Sequence, residues 1–308
     1  MKRIILAAVS LTALITPAIA SAQADVTINQ TGLDHTVSIN QVEDVLNSIT
    51  ITQAQNEQRA QVRQTAPGGS NTTVISQGEI GGIGQNETEI RQTGSNNNGS
   101  ITQNSSTNIV LATQDGAGNT LTTNQGFVDG AGADGVGNSI LARQNGDDNI
   151  ITVRQNFEVI GSGNDVDIFQ DSGNNEVTVD QEGSSNTAFV VQGDLAGVGQ
   201  NTATITQIGS GNLTAIGQNS TGNVAVGTQT GNNNQLFIDQ GFNNGTGLGG
   251  DGNYAEGIQT GDNNTLEITQ NVTTSGSGNS AIIRQIGNGF DLIINQEGSG
   301  MTVDMTQM

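Results

Sequence analysis

The sequence predicts an all-β solenoid, built of eleven-residue strand-and-turn units stacked so that two parallel sheets face each other. Three observations predict it. A seven-residue pattern, N-x-φ-x-φ-x-Q with φ apolar, recurs in one phase along almost the whole chain. Amides are abundant, with 37 Asn and 30 Gln among 308 residues, whereas Trp and Cys are absent and aromatics are only 3%. Short Gly-rich connections separate the copies, placing turn chemistry where each strand ends. A conventional aromatic and leucine core cannot be built from this composition. Charged residues, at 12%, are also too few for a typical solvated disordered chain. A regular repeat is what remains.

The amino terminus is a separate element. Lys2 and Arg3 precede an apolar run over 4–15, followed by Ala18, Ile19, Ala20, Ser21 and Ala22. This is the pattern of a secretory signal peptide, so residues 1–22 are expected to be removed and 23–308 to form the repeat domain. The run is short for a bilayer span, and no later stretch approaches about 20 apolar residues. Cleavage leaves 6 Arg and 29 acids, a net charge of 6 − 29 = −23. Such a surface repels nucleic acid and anionic lipid and attracts basic partners. An exported chain without Cys draws no stability from disulfides.

From residue 24 onward the copies follow in order. There are 23, of which eighteen begin with Asn and five with Ala24, His35, Gln58, Phe290 or Met301. Alternation points positions 1, 3, 5 and 7 of each copy one way and positions 2, 4 and 6 the other, as in half-buried strands. The inward set is therefore an amide, two small or apolar residues and another amide. Stacked in register, each amide can donate to the carbonyl of its counterpart one coil away, which offsets a burial cost of about 1–3 kcal/mol per unpartnered group. A one-residue slip would put every amide on the wrong face, so such ladders also set register.

The candidate ladder residues come in pairs along the chain. They are Asn47 with Gln53, Asn71 with Gln77, Asn86 with Gln92, Asn108 with Gln114, Asn119 with Gln125 and Asn138 with Gln144. Next come Asn149 with Gln155, Asn164 with Gln170, Asn175 with Gln181, Asn186 with Gln192, Asn201 with Gln207 and Asn212 with Gln218. The series continues with Asn223 and Gln229, Asn234 and Gln240, Asn253 and Gln259, Asn264 and Gln270, and Asn279 and Gln285, and closes on Gln296 and Gln307.

Between copies, fourteen of the 22 connections are four residues long, and ten of these have Gly second. Those turn glycines are Gly32, Gly94, Gly116, Gly146, Gly183, Gly209, Gly231, Gly261, Gly287 and Gly298. Inward residues of modest size suit a thin core between two sheets about 10 Å apart. A three-sided β-helix stays open as an alternative. Connections of eight, twelve and eight residues follow Gln77, Gln125 and Gln155 and recur after Gln192, Gln240 and Gln270, nine strands later. Nine is a multiple of three, so a triangular coil would keep these loops on the same edges.

Other chemistry finds little support. The single histidine, His35, occupies an inward slot normally held by Asn, which reads as a ladder substitution rather than a catalytic base. With no Cys and no Lys after residue 22, nucleophile and metal-ligand sets are few, and no catalytic or cofactor-binding constellation emerges. Asp129, Asp134 and Asp251 sit among glycines in the two longest loops, but the tandem register of a calcium-binding repeat is missing. Thr202, Thr204 and Thr206 form an outward row of the kind that suits ice, and neighbouring rows break the array.

The spacing Q-x-G-x-x-N-x-φ-x-φ-x-Q, seen from Gln181 through Gly183 and Asn186 to Gln192, resembles the curlin repeat of bacterial curli fibre subunits. The resemblance implies a secreted subunit of extracellular amyloid fibres that serve biofilm matrix and adhesion. It also implies ladder roles for the inward Asn and Gln, and a nucleator subunit and secretion chaperones as partners. The chain departs from typical members in carrying many more copies and in starting its first strand beside the cleavage site. Independently, no polar cap is recognisable beside the last copy, 301–307, or the first. Uncovered solenoid edges template pairing, here with another copy joined end to end in a homopolymer. Outward acids such as Glu87, Glu89, Asp165 and Asp167 would slow that joining by repulsion. A non-polymerising solenoid acting as a surface adhesin or spacer is the alternative function.

Overall fold

A computed structural model describes residues 3–7, 12–17, 25–42, 46–65, 69–78, 84–126, 136–156, 161–193, 199–241, 251–273 and 276–308. The side chains of 3–7, 12–17 and Val42 are outside that description. The chain divides into two units, Met1–Gly163 and Asn164–Met308. Strands are numbered in chain order, and every described strand pairing is parallel.

In the first unit one sheet contains β1 (Arg3–Ala7), β3 (Asp25–Leu33), β5 (Ser48–Asn56), β7 (Thr72–Gln77), β9 (Asn98–Gln103), β11 (Thr120–Gln125) and β13 (Ile150–Gln155). The other contains β2 (Thr12–Pro17), β4 (Thr36–Val42), β6 (Arg59–Thr65), β8 (Glu87–Ser95), β10 (Ile109–Ala117) and β12 (Ser139–Asn145). Each strand thus pairs with the next but one in sequence. Two strands make a coil, and the fold is a two-sheet solenoid.

The second unit repeats the plan. One sheet is β14 (Asp165–Asp171), β16 (Thr187–Gln192), β18 (Leu213–Gln218), β20 (Gln235–Gln240), β22 (Thr265–Gln270) and β24 (Asp291–Gln296). Its companion is β15 (Glu176–Ser184), β17 (Thr202–Ser210), β19 (Val224–Asn232), β21 (Tyr254–Thr260), β23 (Ser280–Ile286) and β25 (Thr302–Gln307). The three-sided alternative is therefore excluded. The offset of nine strands is accommodated differently: the long connections leave odd-numbered strands in the first unit and even-numbered ones in the second.

Burial follows the alternation. In β5, Ile49 and Ile51 are buried while Ser48, Thr50 and Thr52 are half-buried. Register stacks Ile51 on Ile75 and Ile75 on Ile101, and all three are at most 1% exposed. Each such side chain contributes about 1.5–3 kcal/mol by leaving water. Small residues facing large ones keep the two sheets close. A Cβ on Gly227 would lie 2.8 Å from Leu236 Cδ2, so the leucine fills the space the glycine leaves. At β24 and β25 the pattern changes. Leu292, Ile294 and Val303 are only half-buried and Met305 is 37% exposed, whereas Leu266, Ile268, Ala281 and Ile283 one coil earlier are 0% exposed.

Candidate functional site: an amide-lined interior

Every predicted ladder residue from Asn47 to Gln296 is buried, and Gln307 is half-buried at the edge of its sheet. The glutamines stand one above another because each copy ends its strand at the same register position. In the first unit Gln30, Gln53, Gln77, Gln103, Gln125 and Gln155 form a chain of side-chain bonds, each Nε2 donating to the next Oε1 at 2.6–3.0 Å. Gln41, Gln64, Gln92, Gln114 and Gln144 form a second chain at 2.8–3.0 Å. The second unit holds Gln181, Gln207, Gln229, Gln259, Gln285 and Gln307 at 2.8–3.3 Å. Its other chain, Gln170, Gln192, Gln218, Gln240, Gln270 and Gln296, runs at 2.7–3.0 Å.

The second amide proton is used as well. It crosses the core to the carbonyl at the start of the preceding strand in the facing sheet, as from Gln218 to Thr202 O at 3.1 Å and from Gln259 to Gln235 O at 2.9 Å. One carboxamide therefore ties coil to coil and sheet to sheet. Leu could do neither, and Glu would lack both donors. The bonds all point the same way along the stack, so the ladder is polar. At its beginning, Gln30 Oε1 is buried without a donor.

The asparagines pair differently. Their Oδ1 accepts a backbone N–H of the next coil, as from Asn119 N to Asn97 Oδ1 at 3.1 Å and from Asn223 N to Asn201 Oδ1 at 3.0 Å. Their Nδ2 donates to the carbonyl of a turn glycine one coil on, as from Asn186 to Gly209 O at 3.0 Å and from Asn234 to Gly261 O at 2.7 Å. Direct Asn–Asn side-chain bonds occur from Asn212 to Asn186 and from Asn234 to Asn212, at 3.1 and 3.2 Å. Position in the strand separates the roles: at the strand start Gln58 bonds as the asparagines do, accepting from Asn86 N at 3.2 Å and donating to Ala54 O at 3.3 Å. His35 does the same work with two ring nitrogens. Nδ1 faces the N–H of Gln58 at 3.4 Å and Nε2 the carbonyl of Thr31 at 3.1 Å, an arrangement that assigns the proton to Nε2.

The ten turn glycines all have positive φ, from +100° to +135°. At most of them the backbone of the next turn sits where a side chain would begin. A Cβ on Gly94 would meet Gly116 O at 2.0 Å, and one on Gly209 would meet Gly231 O at 2.0 Å. Four four-residue turns have Gln55, Ser105, Ser172 or Ser220 in that place. These are the turns whose next coil carries a connection of eight or twelve residues, 78–85, 126–137, 193–200 or 241–252, in place of four. The serine hydroxyl then takes over as asparagine's acceptor, from Asn108 to Ser105 Oγ at 2.6 Å and from Asn223 to Ser220 Oγ at 2.7 Å. Sequence reasoning missed a second left-handed position, the last residue of the turn. Asp34, Asn96, Asp148, Asn174, Asn233 and Asn263 occupy it with φ of 56–61°. The signal was there, since Asn, Asp and Gly dominate that slot and tolerate this conformation.

On the outer faces, Glu87 pairs with Arg59 at 3.0 Å and Arg284 with Asp304 at 3.1 Å, both exposed and of small energetic weight. Desolvation, followed by the charge of Asp165, raises the Asp167 carboxyl above its ordinary range. Asp129 and Asp134 lie outside the described residues. Asp251 accepts the N–H of Thr221 at 3.1 Å, and no cluster of potential metal ligands occurs among the described residues. Among the described residues, no helix is long and apolar enough to cross a membrane.

Residues 161–193 match the family model of the curlin associated repeat, so the chain carries that repeat over β14–β16. No curated protein matches the chain.

Proposed function

We propose that the chain is a secreted structural subunit of curli-like extracellular fibres, adding copies of itself coil on coil for biofilm matrix and adhesion. The observation that carries this reading is the ladder itself. Successive glutamines stack coil on coil, each Nε2 donating to the next Oε1, so a coil of another copy can join through the same bonds that hold the coils of one chain together. At β24 and β25, Leu292, Ile294, Val303 and Met305 are more exposed than their counterparts one coil earlier. Removal of 1–22 would take away β1 and β2 and present β3 and β4, with Gln30 Oε1 as a waiting acceptor. The match to the curlin associated repeat supports the same reading.

The mature chain, incubated at micromolar concentration, is expected to form Thioflavin-positive filaments with a fibre reflection near 4.7–4.8 Å. A sample that stays monomeric would favour the adhesin or spacer. Replacing Gln296 and Gln307 with Leu is expected to slow elongation several-fold, by removing bonds of about 0.5–1.5 kcal/mol each. Replacing the outward Thr302 and Thr306 with Ser should change it little. The growth rate of seeded filaments provides the readout. Acidification from pH 7 toward the ordinary carboxylate range near 4 should shorten the lag, because protonating Asp167, whose carboxyl is raised by desolvation and then by the charge of Asp165, relieves repulsion between like-charged copies.

A further inference from the structure

The outward face of the sheet containing β16, β18 and β20 holds a notch of about 210 Å³. Phe189 and Phe237 form its two sides and Ala215 lies between them, because register places these three in one row over consecutive coils. Two layers of about 4.8 Å separate the phenylalanines by roughly 9.6 Å. A group midway between them lies about 4.8 Å from each, within the roughly 6 Å reach of a cation over an aromatic ring. Gly217 extends the floor, and the Asp239 carboxylate leans over it: a Cβ on Gly217 would lie 2.8 Å from Asp239 Oδ1. Asn219 closes the third side. It is 3% exposed, and its Oδ1 is buried with no hydrogen-bond partner.

The polar groups offered here are a carboxylate and an unpartnered amide oxygen. Both accept, and neither can be satisfied by a carbonyl or an anion. Desolvation by the surrounding walls, and after it the negative charge of Glu267, raise the Asp239 carboxyl above its usual range. A cation carrying several N–H groups on a flat face would relieve that repulsion, fill the unused acceptor and lie between the aromatic walls. Guanidinium has this set of properties: planar, donor-only, always charged and weakly hydrated. An ammonium is compact and cannot stack, and a neutral urea lacks the charge.

We propose that this notch binds the guanidinium of an arginine side chain presented by a basic peptide segment. The carboxylate of Asp239 and Oδ1 of Asn219 accept its N–H groups while Phe189 and Phe237 flank it on either side. The site lies within the second unit and does not depend on fibre formation.

The test uses the full mature chain carrying 4-fluorophenylalanine, titrated with N-acetyl-arginine methylamide and followed by the fluorine signals of residues 189 and 237. Saturable shifts are expected with the arginine probe, several-fold weaker binding with its lysine counterpart and none with citrulline. Asp239→Asn should weaken binding about tenfold, the loss of a charge-assisted bond. Ala215→Phe fills the gap between the walls and should abolish binding while circular dichroism stays that of the parent. Glu89→Gln, on the other unit, controls for general electrostatic attraction and should bind as the parent does. Equal binding of arginine and citrulline, equal binding of arginine and lysine, or unchanged binding by a folded Ala215→Phe chain would each overturn the proposal.

Discussion

Gln259→Glu is expected to destabilise the repeat domain by about 3–5 kcal/mol at neutral pH, the cost of an uncompensated buried charge. Gln259 is 0% exposed and accepts from Gln229 Nε2 at 2.9 Å. It donates to Gln285 Oε1 at 3.0 Å and to Gln235 O at 2.9 Å. A carboxylate there keeps the bond from Gln229 but turns its own oxygens on two acceptors. Protonation restores one donor. The folded-state carboxyl is therefore raised above its unfolded value of about 4.3, so the penalty is smallest below that value and grows as pH rises through the window up to the folded pKa. The difference in urea midpoint between variant and parent should accordingly be much smaller at pH 4.5 than at pH 7. Gln259→Leu removes the same donors without a charge and should cost about 2–4 kcal/mol at both pH values, from the two or more partners left unsatisfied. The outward neighbour Glu256→Gln should stay within about 0.5 kcal/mol of the parent. A Gln259→Glu chain with a pH-independent deficit would contradict the bonding described for this position.

Two glycine substitutions should differ by more than their shared chemistry suggests. Gly209 has φ of +121°, and a Cβ there would lie 2.0 Å from the carbonyl oxygen of Gly231. Neither atom sits on a flexible side chain, so Gly209→Ala must push the stacked turns apart and weaken the bond from Asn186 Nδ2 to Gly209 O. A loss of more than about 3 kcal/mol is expected, adding backbone strain to a broken buried bond. Gly222 also has positive φ, +69°, but nothing lies within 4 Å of its would-be Cβ. Gly222→Ala should cost only the left-handed preference, about 1–2 kcal/mol. Urea midpoints compare the two. Similar losses at both sites would show that φ alone, rather than close stacking of turns, places glycine at the second position.

Much of this architecture is legible in one sequence because the repeat is long and its phase constant. An inward Gln at the end of each strand and alternating apolar residues before it leave one face to bury, and the two-sheet core follows. The number of strands per coil was harder to read. Long loops nine strands apart, as after Gln77 and Gln192, carry no requirement to share an edge, so their spacing pointed as readily to three sides. The division of labour between Asn and Gln was not legible, since a carboxamide can reach a neighbouring side chain or a neighbouring backbone and only geometry decides. The exchange of Gly for Ser at positions such as 105 and 220 depends on which turn lies one coil further on. That neighbour is known only once the coil has two strands.

The most direct test of the account labels glutamine side chains with 15N at Nε2 and 13C at Cδ in separate, mixed populations of sites and measures their through-space coupling in the solid, hydrated chain. Hydrogen bonds of 2.6–3.3 Å between successive carboxamides place each Nε2 within about 4 Å of the next Cδ. Strong coupling at that distance, with the amide protons slow to exchange with deuterated water, is the predicted result. Absent coupling together with exchange as fast as that of free glutamine would contradict an interior held together by these side chains.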